Sequence, residues 1–360
     1  FHLVNLLYFL LAVFLVFVLA KKLTKKFFLS FLAAVFFLIH PINNEVVNWA
    51  AAVPELLFAV FSLLAAIFFL KRREKKTQRN LILCYIFFFL AVLSKEPAVL
   101  LPIIFLFIDF KIFKVKFIRK NRRPSTFKDN KYLKPFSVIN FNELKKYAVF
   151  SLIILSDFLV RFIVVKDVFG SKQLYFGVFT FQERIYAFFT LLGQYLLKLF
   201  YPYPLLFFYS FEKKANLLSW QFVLSALAFL VLITGTYFLI QKKKKLIALF
   251  IAWIIIFLFP VVFFVYSVGE NVFSERYLFV PSIGFSFLLA YAINHFWEKE
   301  KKQRNYILAF LFLIIVVSWF EIYPRNKIFK TDFELYRTTI TLNPTAYSLA
   351  RNLAVELMER

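Results

Sequence analysis

The chain alternates between long apolar stretches and short basic ones. A helix that spans a bilayer needs about 20 mostly apolar residues, and ten stretches approach or reach that length. The pattern therefore predicts an all-α polytopic membrane helical bundle of about 10 or 11 spans. The predicted spans are Leu3 to Ala20, Phe27 to Ile39, Ala52 to Leu70, Leu81 to Leu93, Pro97 to Phe113, Tyr147 to Val165, Ser219 to Ile240, Leu246 to Tyr266, Leu278 to Trp297 and Tyr306 to Phe320.

The composition agrees with an integral membrane protein. Hydrophobic residues make up 62% of the chain and charged residues 18%, whereas soluble domains have about 45–50% apolar and about 25% charged residues. The one cysteine, Cys84, lies within a predicted span, so an intrachain disulfide is excluded. No Cys/His cluster has the spacing of a metal site.

The net charge of +25 raises the question of a nucleic-acid partner. The excess of basic residues falls into five runs, each between apolar stretches, as the positive-inside rule expects of cytoplasmic loops. We therefore predict no nucleic-acid binding. The loop Lys111 to Lys146 is expected to enforce topology, and binding of anionic membrane lipid headgroups is the alternative. The runs are Lys21 to Lys26, Lys71 to Asn80, Lys111 to Lys146, Lys242 to Lys245 and Glu298 to Arg304.

One apolar segment, Ile185 to Tyr201, leaves the topology open. If it crossed the membrane, Lys242 to Lys245 would lie on the wrong side, so an outward-facing interfacial or re-entrant helix is favoured. Phe1 is then outside, and we expect one earlier span and its outer loop before it. The tail from Glu321 is also outside, and Asn343-Pro344 is expected to divide it into two helices.

Three polar turns fall on the outer side. The first is His40-Pro-Ile-Asn-Asn-Glu45-Val-Val-Asn-Trp49, the second is Ser94-Lys95-Glu96-Pro97, and the third is Gly269-Glu-Asn271 followed by Ser274-Glu275-Arg276-Tyr277. Each alone is typical of a helix cap with a snorkelling charge. Because three of them share one face, together they indicate a site.

The residue types in these turns suggest chemistry on a phosphorylated sugar. Lys95 and Arg276 are suited to hold a phosphate, and Trp49 and Tyr277 to pack against a sugar face. Glu45, Glu96 and Glu275 are expected to orient the sugar, the acceptor or a divalent cation. The sequence has no nucleotide-phosphate loop or dinucleotide fingerprint, so a lipid-borne phosphate is the natural donor.

Asp157 and Arg161 are ionisable residues deep in a predicted span. Four residues apart, they lie on one helix face, which favours an intrahelical ion pair. A cavity-lining pair that serves a polar substrate is the alternative.

The outer turns carry a resemblance to a known family. The segments His40-Pro41…Glu45…Val47 and Glu55-Leu-Leu57, Leu93-Ser-Lys-Glu96 with Leu101-Pro102 and Asp109, and Glu275-Arg-Tyr-Leu-Phe-Val-Pro-Ser282 with Gly284 follow the family's order. They resemble motifs of the transmembrane and tetratricopeptide-repeat O-mannosyltransferases, of the C-type glycosyltransferase superfamily. The opening His2-Leu-Val-Asn5 is similar to the start of that family's second span, and Phe333 to Ala354 to the entry of its repeat array.

The resemblance implies transfer of a sugar, typically mannose, from a polyprenyl-phosphate carrier to a protein or other hydroxyl acceptor on the outer or lumenal face. It places the catalytic acidic residues in the first outer loop, before Phe1, and leaves His40, Glu45, Trp49, Lys95, Glu96, Glu275, Arg276 and Tyr277 as substrate-binding candidates. Val53 departs from the family, which often has Arg there. The implied domains are a membrane glycosyltransferase part, 1–322, and the start of a repeat array, 323–360.

The expected location is a bacterial inner membrane or the endoplasmic reticulum, with the tail outside or lumenal. Two other functions stay open at this point. A transporter or flippase of lipid-linked sugars would carry charges through the membrane midplane and inverted repeats. A non-catalytic scaffold would use outer helical repeats to recruit partners.

Overall fold

The computed structural model describes residues 2–109, 141–165, 179–209, 211, 215–264, 272–299, 302 and 304–358. These residues form helices and connecting turns, with no strand among them, which confirms the predicted all-α class. The helices are α1 (His2–Thr24), α2 (Phe27–Ile39), α3 (Asn44–Asn48), α4 (Val53–Glu74), α5 (Gln78–Ser94), α6 (Leu101–Phe107), α7 (Phe141–Val165), α8 (Phe181–Phe200), α9 (Trp220–Gln241), α10 (Lys245–Phe263), α11 (Phe279–Lys299), α12 (Arg304–Ile328), α13 (Asp332–Leu342) and α14 (Tyr347–Met358).

In the described part of the chain, seven helical segments are long and apolar enough to cross a bilayer. They are His2–Thr24, Ala50–Glu74, Lys145–Val164, Trp220–Gln241, Lys245–Phe263, Glu275–Lys299 and Arg304–Ile328. An eighth candidate is a broken pair, Phe27–Ile39 with Pro41–Asn48, bent by 54°. The two other predicted spans match shorter apolar helices, Gln78–Ser94 and Glu96–Phe107.

The core lies among α1, α2, α4, α5, α10 and α11. Helices α10 and α11 approach closely because Gly284 faces the backbone of α10, where an added Cβ would lie 2.9 Å from the Phe250 carbonyl oxygen. The Trp253 indole N–H donates to the Val280 carbonyl at 2.9 Å across the same contact. By contrast, only 6% of the apolar window of α7, α9 and α12 is buried, so these helices face lipid.

Helix α8 stays in one half of the bundle. Phe188 near its start lies 6.4 Å from Phe259 at the end of α10, measured between ring centroids. At its other end, Phe200 lies 4.9 Å from Phe285, near the start of α11. Both contacts are on the side of the polar turns, and α8 is not among the seven candidate spans. This arrangement favours the predicted non-spanning helix.

Charged residues at the opposite end join three of the basic runs. Lys25 and Glu74 form an ion pair at 3.1 Å, and Lys26 and Glu298 form one at 2.6 Å. We call this the inner end of the bundle, following the positive-inside rule. Most of the run Lys111 to Lys146 lies outside the described residues.

Asp109 is buried at the inner end, where α4, α6 and α7 meet. It pairs with Arg73 and Lys146 and accepts a hydrogen bond from the Tyr147 hydroxyl at 2.7 Å. Two cations and a hydroxyl therefore satisfy this acid, the arrangement that a buried carboxylate requires.

The tail folds as predicted into two helices, α13 and α14, separated at Asn343-Pro344. The Thr331 hydroxyl caps α13 by accepting from the Glu334 backbone N–H at 3.2 Å. Helix α12 runs on to Ile328, so it passes without interruption across the boundary expected after residue 322.

Candidate functional site

The three polar turns meet at the outer end of the bundle. There, Glu45, Glu55, Lys95 and Arg276 lie together with the rings of Trp49 and Tyr277, and we call these six residues the outer cluster. Proline occupies the first turn of the helices that follow His40, Ala52 and Lys95. Proline is tolerated there because its missing N–H would have no helical partner. The prolines therefore mark where each turn ends and the next helix begins.

Arg276 is the centre of the outer cluster. Its Nη1 donates to Glu45 Oε1 at 3.0 Å, and its backbone N–H donates to Glu45 Oε2 at 3.1 Å. The Ser274 hydroxyl also donates to Glu45 Oε1, at 3.1 Å. Glu45 is fully buried, so these charge-assisted bonds replace the water that its carboxylate has lost.

A second carboxylate completes the charge balance. Glu55 pairs with Lys95, and its Oε1 lies 3.6 Å from Arg276 Nε. Arg276 thus lies between two carboxylates. With two acids and two cations, the four side chains are neutral together, which lowers the cost of holding them away from water.

Aromatic rings cover both cations. The guanidinium carbon of Arg276 lies 4.7 Å from the Trp49 ring centroid and 5.2 Å from that of Tyr277, while Lys95 Nζ lies 4.9 Å from the Tyr277 centroid. Each contact is within the range of a cation–π interaction. Below the charges, a cleft of about 20 Å³, lined by Phe58 and Phe257, has room for one water molecule.

Glu275 does not join the outer cluster, although it is next to Arg276 in sequence. It accepts from the Tyr209 hydroxyl at 2.5 Å and from Arg325 Nη1 at 3.2 Å. The reason is the 3-10 turn Glu275–Leu278, in which successive side chains project about 120° apart. The predicted role of Glu275 in orienting a substrate stays a prediction, and its carboxylate is bonded to Tyr209 and Arg325.

Glu96 also faces away from the outer cluster. Its side chain is 68% exposed and accepts from Arg161 Nη1 at 2.6 Å. Arg161 Nε donates to Asp157 at 2.8 Å, which confirms the predicted intrahelical ion pair. Because Arg161 bonds to Glu96 as well as to Asp157, it joins α7 to the Lys95-Glu96 turn.

His40 is buried and bonded to backbone on both ring nitrogens. Its Nε2 lies 3.0 Å from the Leu199 carbonyl oxygen, and its Nδ1 accepts from the Ile42 N–H at 3.3 Å. An N–H on Nε2 satisfies both contacts. His40 therefore ties the first polar turn to the end of α8.

Three residues at or beside the site were not predicted from the sequence: Glu55, Tyr209 and Arg325. Glu55 directly follows Pro54 at the start of a span on the outer side, so its position was a usable signal. Tyr209 and Arg325 lie in segments without a comparable motif, and only the tertiary structure brings them to Glu275. Gly269 to Asn271, predicted as part of the third turn, lie outside the described residues.

The outer cluster does not form a metal site by itself. Within the described ranges, no three His, Cys, Asp or Glu side chains come close enough to hold a metal ion. Glu45 and Glu55 are instead paired with cations.

Comparisons with known proteins agree with the resemblance carried by the motifs. The model of the dolichyl-phosphate-mannose-protein mannosyltransferase family matches residues 1–125, which contain four of the six residues of the outer cluster. A protein O-mannosyl-transferase of Caenorhabditis elegans is 25% identical over 372 residues, covering 98% of this chain and 47% of that relative. Protein O-mannosyl-transferase Tmtc2 of Drosophila melanogaster is 30% identical over 71 residues, covering 20% of this chain and 8% of its own length.

The chain therefore spans about half the length of the nematode relative. No solved structure shows a significant match to this chain. These matches confirm the resemblance to the protein O-mannosyltransferases.

Proposed function

We propose that the chain is part of a membrane glycosyltransferase that moves mannose or a similar sugar from a polyprenyl-phosphate carrier to a protein or other hydroxyl acceptor. The transfer would take place at the outer end of the bundle. The observation that carries the proposal is the outer cluster: two cations held beside aromatic rings at the ends of apolar helices. The family match and the names of the relatives support the mannosyltransferase class.

The position of the cations supports a lipid-borne donor. Lys95 and Arg276 lie where apolar helices end, so a phosphate attached to a lipid reaches them without leaving the membrane. Arginine has five N–H donors and lysine three, more than Glu45 and Glu55 take up. The carboxylates fix the two cations in place, and the remaining donors are available to the phosphate.

In the proposed reaction, the acceptor oxygen forms a bond to the anomeric carbon as the bond between that carbon and the phosphate oxygen breaks. The phosphate leaves with the bonding electron pair, and Arg276 and Lys95 stabilise the charge that develops on it. The acceptor proton passes to a general base. Trp49 and Tyr277 would pack against the sugar, and Glu45 and Glu55 would orient the two cations.

The experiment is a transfer assay with the protein encoded by the whole gene in membrane vesicles. The donor is polyprenyl-phosphate mannose and the acceptor is a peptide rich in serine and threonine. We expect Arg276→Ala to lower transfer by about 100-fold or more, and Arg276→Lys to keep part of it, since lysine retains the charge but not the fork of donors.

The matched control is Arg79→Ala, because Arg79 is an exposed arginine at the inner end. Its transfer rate should equal that of the wild type. Transfer by Arg276→Ala within twofold of the wild type would overturn the phosphate role. If the wild type moved the lipid-linked sugar across vesicles without transferring it to the peptide, the protein would be a transporter.

A further inference from the structure

A buried ion pair holds the turn next to the outer cluster. Glu275 is fully buried and Arg325 is 6% exposed. Nη1 of Arg325 donates to Oε1 of Glu275 at 3.2 Å, and its Nη2 lies 2.6 Å from Oε2. The Tyr209 hydroxyl donates to the same Oε1 at 2.5 Å. Burial and the Glu275 charge raise the pKa of the Tyr209 hydroxyl above its ordinary value, so it remains a donor.

The two faces of this turn meet different partners. On one face, Glu275 is tied to Tyr209 and Arg325, while on the other, Arg276 is tied to Glu45. The backbone N–H of Arg276 itself donates to Glu45. A shift of the turn therefore moves the guanidinium of Arg276 relative to Glu45 and Trp49.

Leu205–Tyr209, which we call the connector segment, touches both the outer cluster and the tail. The Phe207 ring lies 5.6 Å from Trp49 on one side and 6.0 Å from Phe329 on the other, between centroids. Phe208 packs with Ala346 and Leu349, and its carbonyl accepts from the Asn343 amide at 3.2 Å.

Arg325 provides a second link between the tail and the turn 274–278. It lies near the end of α12, and its guanidinium carbon lies 5.7 Å from the ring of Phe329, which follows that helix. Helix α13 begins shortly afterwards, at Asp332, and is followed by α14. The connector segment thus links the tail to Trp49, and the Arg325–Glu275 pair links it to the turn that carries Arg276.

We propose that Glu275, Tyr209 and Arg325 are positioning residues, which hold Arg276 and Trp49 in place and make their position depend on that of the tail helices α13 and α14. Glu275 then acts through Arg276 and does not touch the substrate. The expected change in the donor KM rests on the proposed function, whereas the expected change in the position of the turn does not.

The first test measures transfer kinetics in the protein encoded by the whole gene. Glu275→Gln keeps the shape of the side chain but removes its charge, so the turn loses its anchor while Arg276 stays present. We expect the KM for polyprenyl-phosphate mannose to rise about tenfold and the KM for the acceptor peptide to stay within twofold. Arg325→Met should give the same pattern, and Arg325→Lys should restore part of the donor KM.

The double variant Glu275→Gln/Arg325→Met separates positioning from misfolding. Because both changes remove the same ion pair, the donor KM of the double variant should be no higher than that of either single variant. A merely structural role would lower the amount of folded protein and leave both KM values of the folded fraction unchanged. That outcome, or a donor KM within twofold of the wild type, would overturn the proposal.

The second test does not depend on activity. Amide hydrogen exchange is measured on the same protein in detergent, with the wild type and Arg325→Met. Exchange in the turn 274–278 should rise at least tenfold, while exchange in α4 stays the same. Leu349→Ala, a change in the tail, should raise exchange in the connector segment.

The two tests fail in different ways. If the wild type transfers no sugar, the proposed function fails, and the exchange result still decides whether the tail positions the turn. Unchanged exchange at 274–278 in Arg325→Met would overturn the positioning role even in an active enzyme.

Discussion

At the inner end of the bundle, Lys25 and Glu74 meet with side chains that are 71% and 45% exposed. At the outer end, Arg276 and Glu45 meet with side chains that are 17% and 0% exposed. The charges of the inner pair are largely solvated, so their pairing contributes little and their position along the chain matters most. The charges of the outer pair have lost their water, so their geometry matters most. Exposed charge such as that of Lys25 and Glu74 thus fixes orientation, whereas the buried charge of the outer cluster builds a site.

The largest effect is expected in a test of which end of the bundle lies on which side of the membrane. In a Cys84→Ala background, Ala51→Cys and Lys76→Cys place single exposed thiols at the outer and inner ends. We expect a membrane-impermeant maleimide added to the outer side to label position 51 fully. Position 76 should be labelled only after permeabilisation.

The background variant without either thiol is the control. Labelling of both positions in sealed membranes from the same side would show that the two ends are not separated by the bilayer.

Stability should respond most strongly to the removal of the central cation. Arg276→Met leaves Glu45 buried without its charged partner, which we expect to cost about 3–5 kcal/mol of unfolding free energy. Thermal unfolding of the protein in detergent measures the loss. The double variant Glu45→Leu/Arg276→Met removes both buried charges and should recover most of it. A double variant as unstable as the single one would mean that packing, not charge, is responsible.

A smaller loss of stability is expected when the Trp49 ring of the outer cluster is removed. Trp49→Leu keeps an apolar side chain but removes the ring above the Arg276 guanidinium, worth about 0.5–2 kcal/mol. The ring contact with Phe207 is lost as well. Trp319→Leu is a matched control, because Trp319 lies exposed on the lipid-facing helix α12. Equal losses of stability in the two variants would contradict a specific role for Trp49.

The smallest effect is expected at the inner end. Lys25→Gln breaks the exposed pair with Glu74, and we expect a loss below about 1 kcal/mol that disappears at high salt. Unfolding measured at low and at high ionic strength checks this. A loss as large as that of Arg276→Met would remove the distinction between the two ends.

The fold was largely predictable because the bilayer imposes a strong pattern on the sequence. Within the described residues, every predicted span corresponds to an apolar helix, although Gln78–Ser94 and the described segment Glu96–Phe107 are shorter than a full crossing. Span lengths were harder to predict, since polar turns such as Ser94 to Pro97 end a helix at a depth that hydropathy does not reveal.

The site was only partly predictable. Residue type and sidedness brought Glu45, Trp49, Lys95, Arg276 and Tyr277 into one prediction, and the structure places them together. They could not show that Glu275 faces Arg325, 50 positions away, because the direction of each side chain in the turn depends on backbone geometry. The same limit applies to His40, whose partner is a backbone carbonyl of α8.

Gly284 has a consequence for how freely this sequence can change. On the lipid-facing helices, one large apolar residue can replace another with little effect, and a chain with 55 phenylalanines is consistent with such tolerance. At Gly284 even one methyl group would press against the backbone of α10. Mutational drift is therefore expected to be broad over most of the membrane surface and nearly forbidden along this line of contact, directly beneath the outer cluster.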